Sequence, residues 1–110
     1  MSVIKAFVAA TVLVASTLPV LAQEAAVQLV IRNHRFQPAE VRVPAGKPFA
    51  LRVKNADPTP EEFESKTLRV ERVIPGNGET VFQIRALQPG RYTFFGEFNE
   101  ATAQGAVIVE

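Results

Sequence analysis

The stretch Leu87-Gln88-Pro89-Gly90-Arg91-Tyr92-Thr93-Phe94-Phe95-Gly96-Glu97-Phe98-Asn99-Glu100-Ala101-Thr102-Ala103-Gln104-Gly105-Ala106-Val107-Ile108-Val109 decides how this chain is read. Pro89-Gly90 signals a turn, because proline presets φ at one turn position and glycine tolerates the φ of the next. Tyr92 to Phe95 then form an aromatic strand, and Ala106 to Val109 an apolar strand after an irregular loop. No helical period is visible in the stretch, so it reads as the closing part of an all-β domain.

Upstream, Val27 to Arg32 and Val41 to Val43 are rich in β-branched residues, and Phe49 to Lys54 alternates cleanly. These are half-buried strands. Pro44-Ala45-Gly46-Lys47-Pro48 separates the second from the third and predicts a hairpin-like connection. Asn55 to Pro60 is a loop, since each proline disfavours the helical region for the residue before it. Phe63 to Ile74 reads as two short strands around a corner at Ser65-Lys66-Thr67, and Val81 to Arg85 as another strand. About seven strands with turn residues between them predict an antiparallel β-sandwich of two sheets.

Lys5, the apolar run from Ala6 to Ala15, and Val20-Leu21-Ala22 have the layout of a secretory leader over residues 1–22. The run is shorter than the ~20 residues a membrane-spanning helix needs, which predicts no span after cleavage. The mature domain, 23–110, then holds one core and resides in the periplasm. Cysteine is absent from the whole chain, so packing rather than disulfides must stabilise it. Twelve basic and eleven acidic residues become eleven of each once Lys5 leaves with the leader, a balance that gives no footing for nucleic acid. The acids are unevenly placed, with Asp57, Glu61, Glu62 and Glu64 close together. No nucleophile lies at motif distance from the single histidine, and no glycine-rich phosphate loop is present, so independent catalysis is not expected.

The phrases Phe36-Gln37-Pro38-Ala39-Glu40-Val41-Arg42-Val43-Pro44-Ala45-Gly46, Asn55, and Leu87-x-Pro-Gly-x-Tyr-x-Phe resemble bacterial cupredoxin-like domains over nearly all of the mature chain. The resemblance implies a Greek-key β-sandwich of about seven strands. It also implies a ligand loop of the form Tyr-x-Phe-x-Cys-x-x-x-His-x-x-x-Met, which places Phe95 at the cysteine, Asn99 at the histidine and Ala103 at the methionine. None of these three holds copper, so a blue-copper electron carrier is excluded. Where such domains have Pro-His-x-Phe, this chain has Pro60-Glu61-Glu62-Phe63, with Glu61, or Glu62 one residue on, in the first histidine slot.

A narrower resemblance, carried by Pro60 to Ser65, Phe95 to Phe98 and Thr102 to Gly105, is to the cupredoxin-like proteins that accompany Ftr-type ferrous iron permeases and to the corresponding domain of EfeO-type proteins. It implies a role in iron uptake, with an iron permease or a periplasmic iron-binding protein as partner, and at most a supporting part in iron oxidation. The expected site is carboxylate-rich: Glu61, Glu62, Glu64 and Glu97, with His34 as an added imidazole, holding iron or copper. Oxygen donors favour hard cations.

The residues also admit plainer readings. Glu62 and Glu64 flank Phe63, so if Phe63 enters the core both acids face away as a solvated, aggregation-resistant edge. Arg35, Arg69, Arg72 or Arg91 are available to neutralise them in surface pairs. A lone histidine is more often a surface residue than a ligand. Phe94 is expected in the core and Phe98 at the surface. The alternative function is a metal-free docking module for a periplasmic or membrane partner.

Overall fold

The computed structural model describes residue 6, residues 8–12 and residues 26–110. The leader expected over 1–22 lies largely outside the described residues. Nine strands follow: β1 (Ala26–Arg32), β2 (Arg35–Gln37), β3 (Glu40–Val43), β4 (Phe49–Asn55), β5 (Glu61–Ser65), β6 (Val70–Ile74), β7 (Glu79–Ile84), β8 (Gly90–Gly96) and β9 (Gln104–Val109). One 3-10 turn, Glu97–Asn99, joins β8 to β9. Two sheets stack face to face, with orders β2-β1-β4-β7 and β3-β9-β8-β5-β6. The all-β sandwich is as expected.

Three features differ from the expectation. β1 pairs parallel to β4, and β3 parallel to β9, so the sheets are mixed rather than antiparallel throughout. Segment 44–48 is not a hairpin: it carries the chain from β3 in one sheet to β4 in the other. Gly46 supplies the positive φ of +75° at which this crossover bends, a conformation that costs glycine little. The extra strand β2 arises because Asn33 and His34, both at positive φ, close a tight turn after β1. Asp57, more than twenty residues away, holds that turn by accepting the N–H groups of Asn33 and His34 at 2.8 and 2.9 Å.

Alternation decides what each strand buries. β4 turns Phe49, Leu51, Val53 and Asn55 inward, β1 contributes Leu29 and Ile31, and β5 turns Glu61, Phe63 and Ser65 inward while Glu62 and Glu64 face out. Phe63 is the hub of an aromatic cluster, with ring centroids 5.1 Å from Phe82, 5.1 Å from Phe94 and 5.7 Å from Phe36. Phe94 is buried and Phe98 is half exposed, as the sequence reading anticipated.

Two buried polar residues fix the loops beside β5. The Ser65 hydroxyl donates to the Thr93 carbonyl and accepts the Leu68 N–H, which sets the β5–β6 corner. The Asn55 amide donates to the carbonyls of Thr59 and Ile74, and its oxygen accepts the Asp57 N–H. Asn55→Ala leaves these groups without partners in a dry environment. The expected cost is at least about 2 kcal/mol in urea unfolding, because each buried polar group left unpaired costs about 1–3 kcal/mol.

Candidate metal centre

Four carboxylates meet on the outer face of the five-stranded sheet. One oxygen each from Glu62, Glu64, Glu71 and Glu97 lies within 4.8 Å of the others. The backbone register explains the convergence. Glu62 and Glu64 share the outer face of β5, Glu71 stands directly opposite Glu64 on β6, and Glu97 leaves the end of β8 just after Gly96, the partner of Phe63. Like charges directly opposite each other on a sheet are destabilising. The Glu71 and Glu97 carboxyls beside Glu62, together with partial desolvation, push its pKa up to about 7, with Glu71 the larger influence. Partial desolvation and the nearby Glu71 and Glu97 raise Glu64 as well.

None of the arginines expected to neutralise these acids forms a salt bridge with them. Among the described residues the side-chain ion pairs are Arg42–Glu110 and Arg91–Glu40, and neither involves the four. Arg72 lies over the Phe82 ring, 5.5 Å from its centre. Lys66 and Arg69 share a shallow depression with Glu64 and Glu71 but form no ion pair with them. Oxygen ligands sit about 2.0–2.6 Å from a hard cation, so two of them across the ion are about 4–5 Å apart. The spacing and donor type of the four carboxylates fit such an ion.

A carboxyl whose folded-state pKa is raised binds its proton more tightly folded than unfolded. Its contribution to stability is therefore greatest below the ordinary value of 4.5 and is lost as pH rises towards about 7. Urea unfolding of the metal-free protein is expected to show stability falling across this window, and Glu62→Gln should flatten the slope. An unchanged slope in the variant would show that Glu62 does not titrate there.

Three of the five residues expected from sequence, Glu62, Glu64 and Glu97, come together, and two do not. Glu61 faces inward with only 1% of its surface exposed, because alternation sends it to the opposite side from Glu62. Its carboxylate accepts the Phe98 N–H at 2.8 Å, the Asn99 Nδ2 at 2.5 Å and, more weakly, the Glu62 N–H at 3.2 Å. His34 sits at the tip of the β1–β2 turn, where its N–H is held by Asp57 and its carbonyl accepts the Thr102 hydroxyl at 2.6 Å. Its side chain is exposed and outside the four-carboxylate group, so it is a turn residue here. Glu71 was missed, since it joins the others only through the β5–β6 register. The four-residue loop from Ser65 to Val70 was the available signal.

The pole where the resemblance places copper ligands is filled by the chain itself. Glu61 and Asn99, the two histidine slots, are hydrogen-bonded to each other. The inward position facing them on β8 is Gly96 rather than Phe95, because Phe94 occupies the preceding inward place and Phe95 turns to the outer face beside Glu64. A Cβ on Gly96 would lie 2.6 Å from the Glu61 Cδ and 2.8 Å from the Ala103 Cβ. No room remains there for a further ligand side chain without displacing Glu61.

These features define a cupredoxin-type sandwich with a closed pole and an acidic outer face. The chain belongs to the cupredoxin-like domain family, whose model matches residues 4–109. It is 40% identical over 83 residues to an uncharacterized protein of Rickettsia prowazekii, covering 76% of this chain and 66% of that protein's length. Among solved structures, it resembles the metal-binding domain of the Cu(I)-exporting P-type ATPase CopA of Streptococcus pneumoniae, determined with Cu(I), at a TM-score of 0.68 and 17% identity, covering 77% of this chain and 84% of that one. Auracyanin A, a blue copper protein of Chloroflexus aurantiacus, matches at 0.68 and 13% identity over 80% of this chain and 100% of that one. Amicyanin from Paracoccus versutus matches at 0.61 and 20% identity over 77% and 81%. At these identities the likeness establishes the fold.

Proposed function

We propose that this cupredoxin-like protein binds iron, or copper in its oxidised form, at Glu62, Glu64, Glu71 and Glu97, and relays it during ferrous iron uptake in the periplasm. The partner in this reading is an iron permease or a periplasmic iron-binding protein. The observation that carries it is the convergence of four carboxylates that form no salt bridge with any basic side chain among the described residues, the Lys66 charge offsetting only part of the rise at Glu64. A bound cation relieves the repulsion that the metal-free cluster builds up. Oxygen donors alone suit Fe²⁺, Fe³⁺ or Cu²⁺ and disfavour Cu(I), which takes soft sulfur ligands. Weak, accessible binding at the rim of a sheet fits transfer better than permanent storage.

Elemental analysis of the protein isolated from its native compartment tests this directly. Iron or copper near one equivalent, lost in a Glu62→Gln/Glu64→Gln variant, is the expected result. Equal metal content in both proteins would remove the site.

A second reading, a metal-free docking module, is favoured by one observation. Val73, the cross-strand partner of Glu62, is 50% exposed, and Phe98, just after Glu97, is 51% exposed, so apolar surface borders the acids. Such a border suits a partner with basic and apolar side chains. Recovery of a partner from periplasm that survives a chelator favours docking; recovery abolished by the chelator favours metal-linked transfer.

A further inference from the structure

Glu61 is the one acid of the Glu61-Glu62-x-Glu64 run that does not reach the outer face, and its three hydrogen bonds point to a different task. A helical turn leaves its first N–H groups without partners in the chain, and the side chain of the preceding residue usually accepts one of them. Here that preceding residue is Gly96, which offers no such bond. The Phe98 N–H is met instead by the Glu61 Oε1, while Oε2 takes the Asn99 side chain. One carboxylate from β5 therefore ties two consecutive residues of the turn Glu97–Asn99. The glycine is part of the same device, since any side chain at Gly96 would collide with Glu61.

We infer that Glu61 is the positioning residue of the outer-face cluster, capping the 97–99 turn from β5 so that Glu97 is held beside Glu62 and Glu64. Adjacent residues of one strand thus divide the work: Glu61 secures the turn from inside, and Glu62 meets Glu97 outside. The consequence for metal affinity rests on the proposed metal site, whereas the capping itself does not.

The test compares wild type with Glu61→Leu, Glu61→Gln, Glu97→Gln and the Glu61→Leu/Glu97→Gln double variant. Amide exchange at Phe98 is measured without metal, and affinity is measured with Mn²⁺ as an oxygen-preferring probe. Glu61→Leu is expected to speed Phe98 exchange about tenfold or more, as loss of its acceptor requires. It should also weaken Mn²⁺ binding as far as Glu97→Gln does, about tenfold, with no further loss in the double variant. Glu61→Gln should restore both properties, because its amide oxygen still accepts the Phe98 N–H and Asn99 can rotate to pair with its amino group.

Unchanged Phe98 exchange in Glu61→Leu, or affinity losses that add in the double variant, would overturn the inference. If Glu61→Leu does not fold, Asn99→Leu cuts one of the two ties and should move both readouts in the same direction by less. A wild type that binds no Mn²⁺ counts against the metal site, and Phe98 exchange still decides the capping role.

Discussion

Phe63→Ala is expected to lower stability by about 3–5 kcal/mol, the range for truncating a fully buried aromatic residue. Phe63 is completely buried and its ring touches Phe36, Phe82 and Phe94, so the substitution opens a cavity bordered by three other large rings. Those partners come from β2, β7 and β8, which spreads the loss across both sheets. For a domain of this size the loss corresponds to a fall in Tm on the order of 15–30 °C. Thermal and urea unfolding measure it. A fall of less than about 1 kcal/mol would mean that the four rings are not packed as described.

The second large effect is expected from Glu62→Gln/Glu64→Gln, and it has opposite signs with and without metal. Without metal, two of the four mutually repelling carboxylates become neutral, so the variant should be more stable than wild type above pH 7. With metal, the variant loses half of the charged donors, and affinity is expected to fall about a hundredfold or more, since the number of charged ligands sets the strength of such sites. Tm measured with and without Fe²⁺ under anaerobic conditions should rise for wild type and stay fixed for the variant. The wild-type affinity should also increase with pH up to about 7, because the proton on Glu62 must leave before a metal ion can bind. An isolated solvated edge would show neither the metal-dependent rise nor this pH profile.

Most strands were legible because their alternation is a local property of the sequence. Phe49 to Lys54 shows it plainly, and the buried face of β4 follows it residue by residue. Features set by distant contacts were not legible. The β1–β2 turn depends on Asp57, in the loop between β4 and β5, gripping Asn33 and His34, so nothing local announced β2 or reduced His34 to a turn residue. The parallel pairing of β1 with β4 likewise belongs to the assembled sheet.

The candidate site divided along the same line. Alternation alone places Glu62 and Glu64 together and separates them from Glu61, because Phe63 between them is too apolar to face water. Glu71 needed the cross-strand register with Glu64, and Glu97 needed the turn that Glu61 caps. The resemblance pointed to the pole, where Glu61 and Asn99 do meet. It did not reveal that they satisfy each other, or that the free acids gather on the outer face.

A metal ion on the outer face must sit among Glu62, Glu64, Glu71 and Glu97, and paramagnetic broadening by Mn²⁺ in a two-dimensional amide NMR spectrum locates it. At substoichiometric Mn²⁺, the signals of residues 62–64, 71 and 97 should vanish first, while those of residues 33–34 at the β1–β2 turn persist. Broadening centred on His34 and Asn99, or none at millimolar Mn²⁺, would contradict a carboxylate metal site on the outer face of the sandwich.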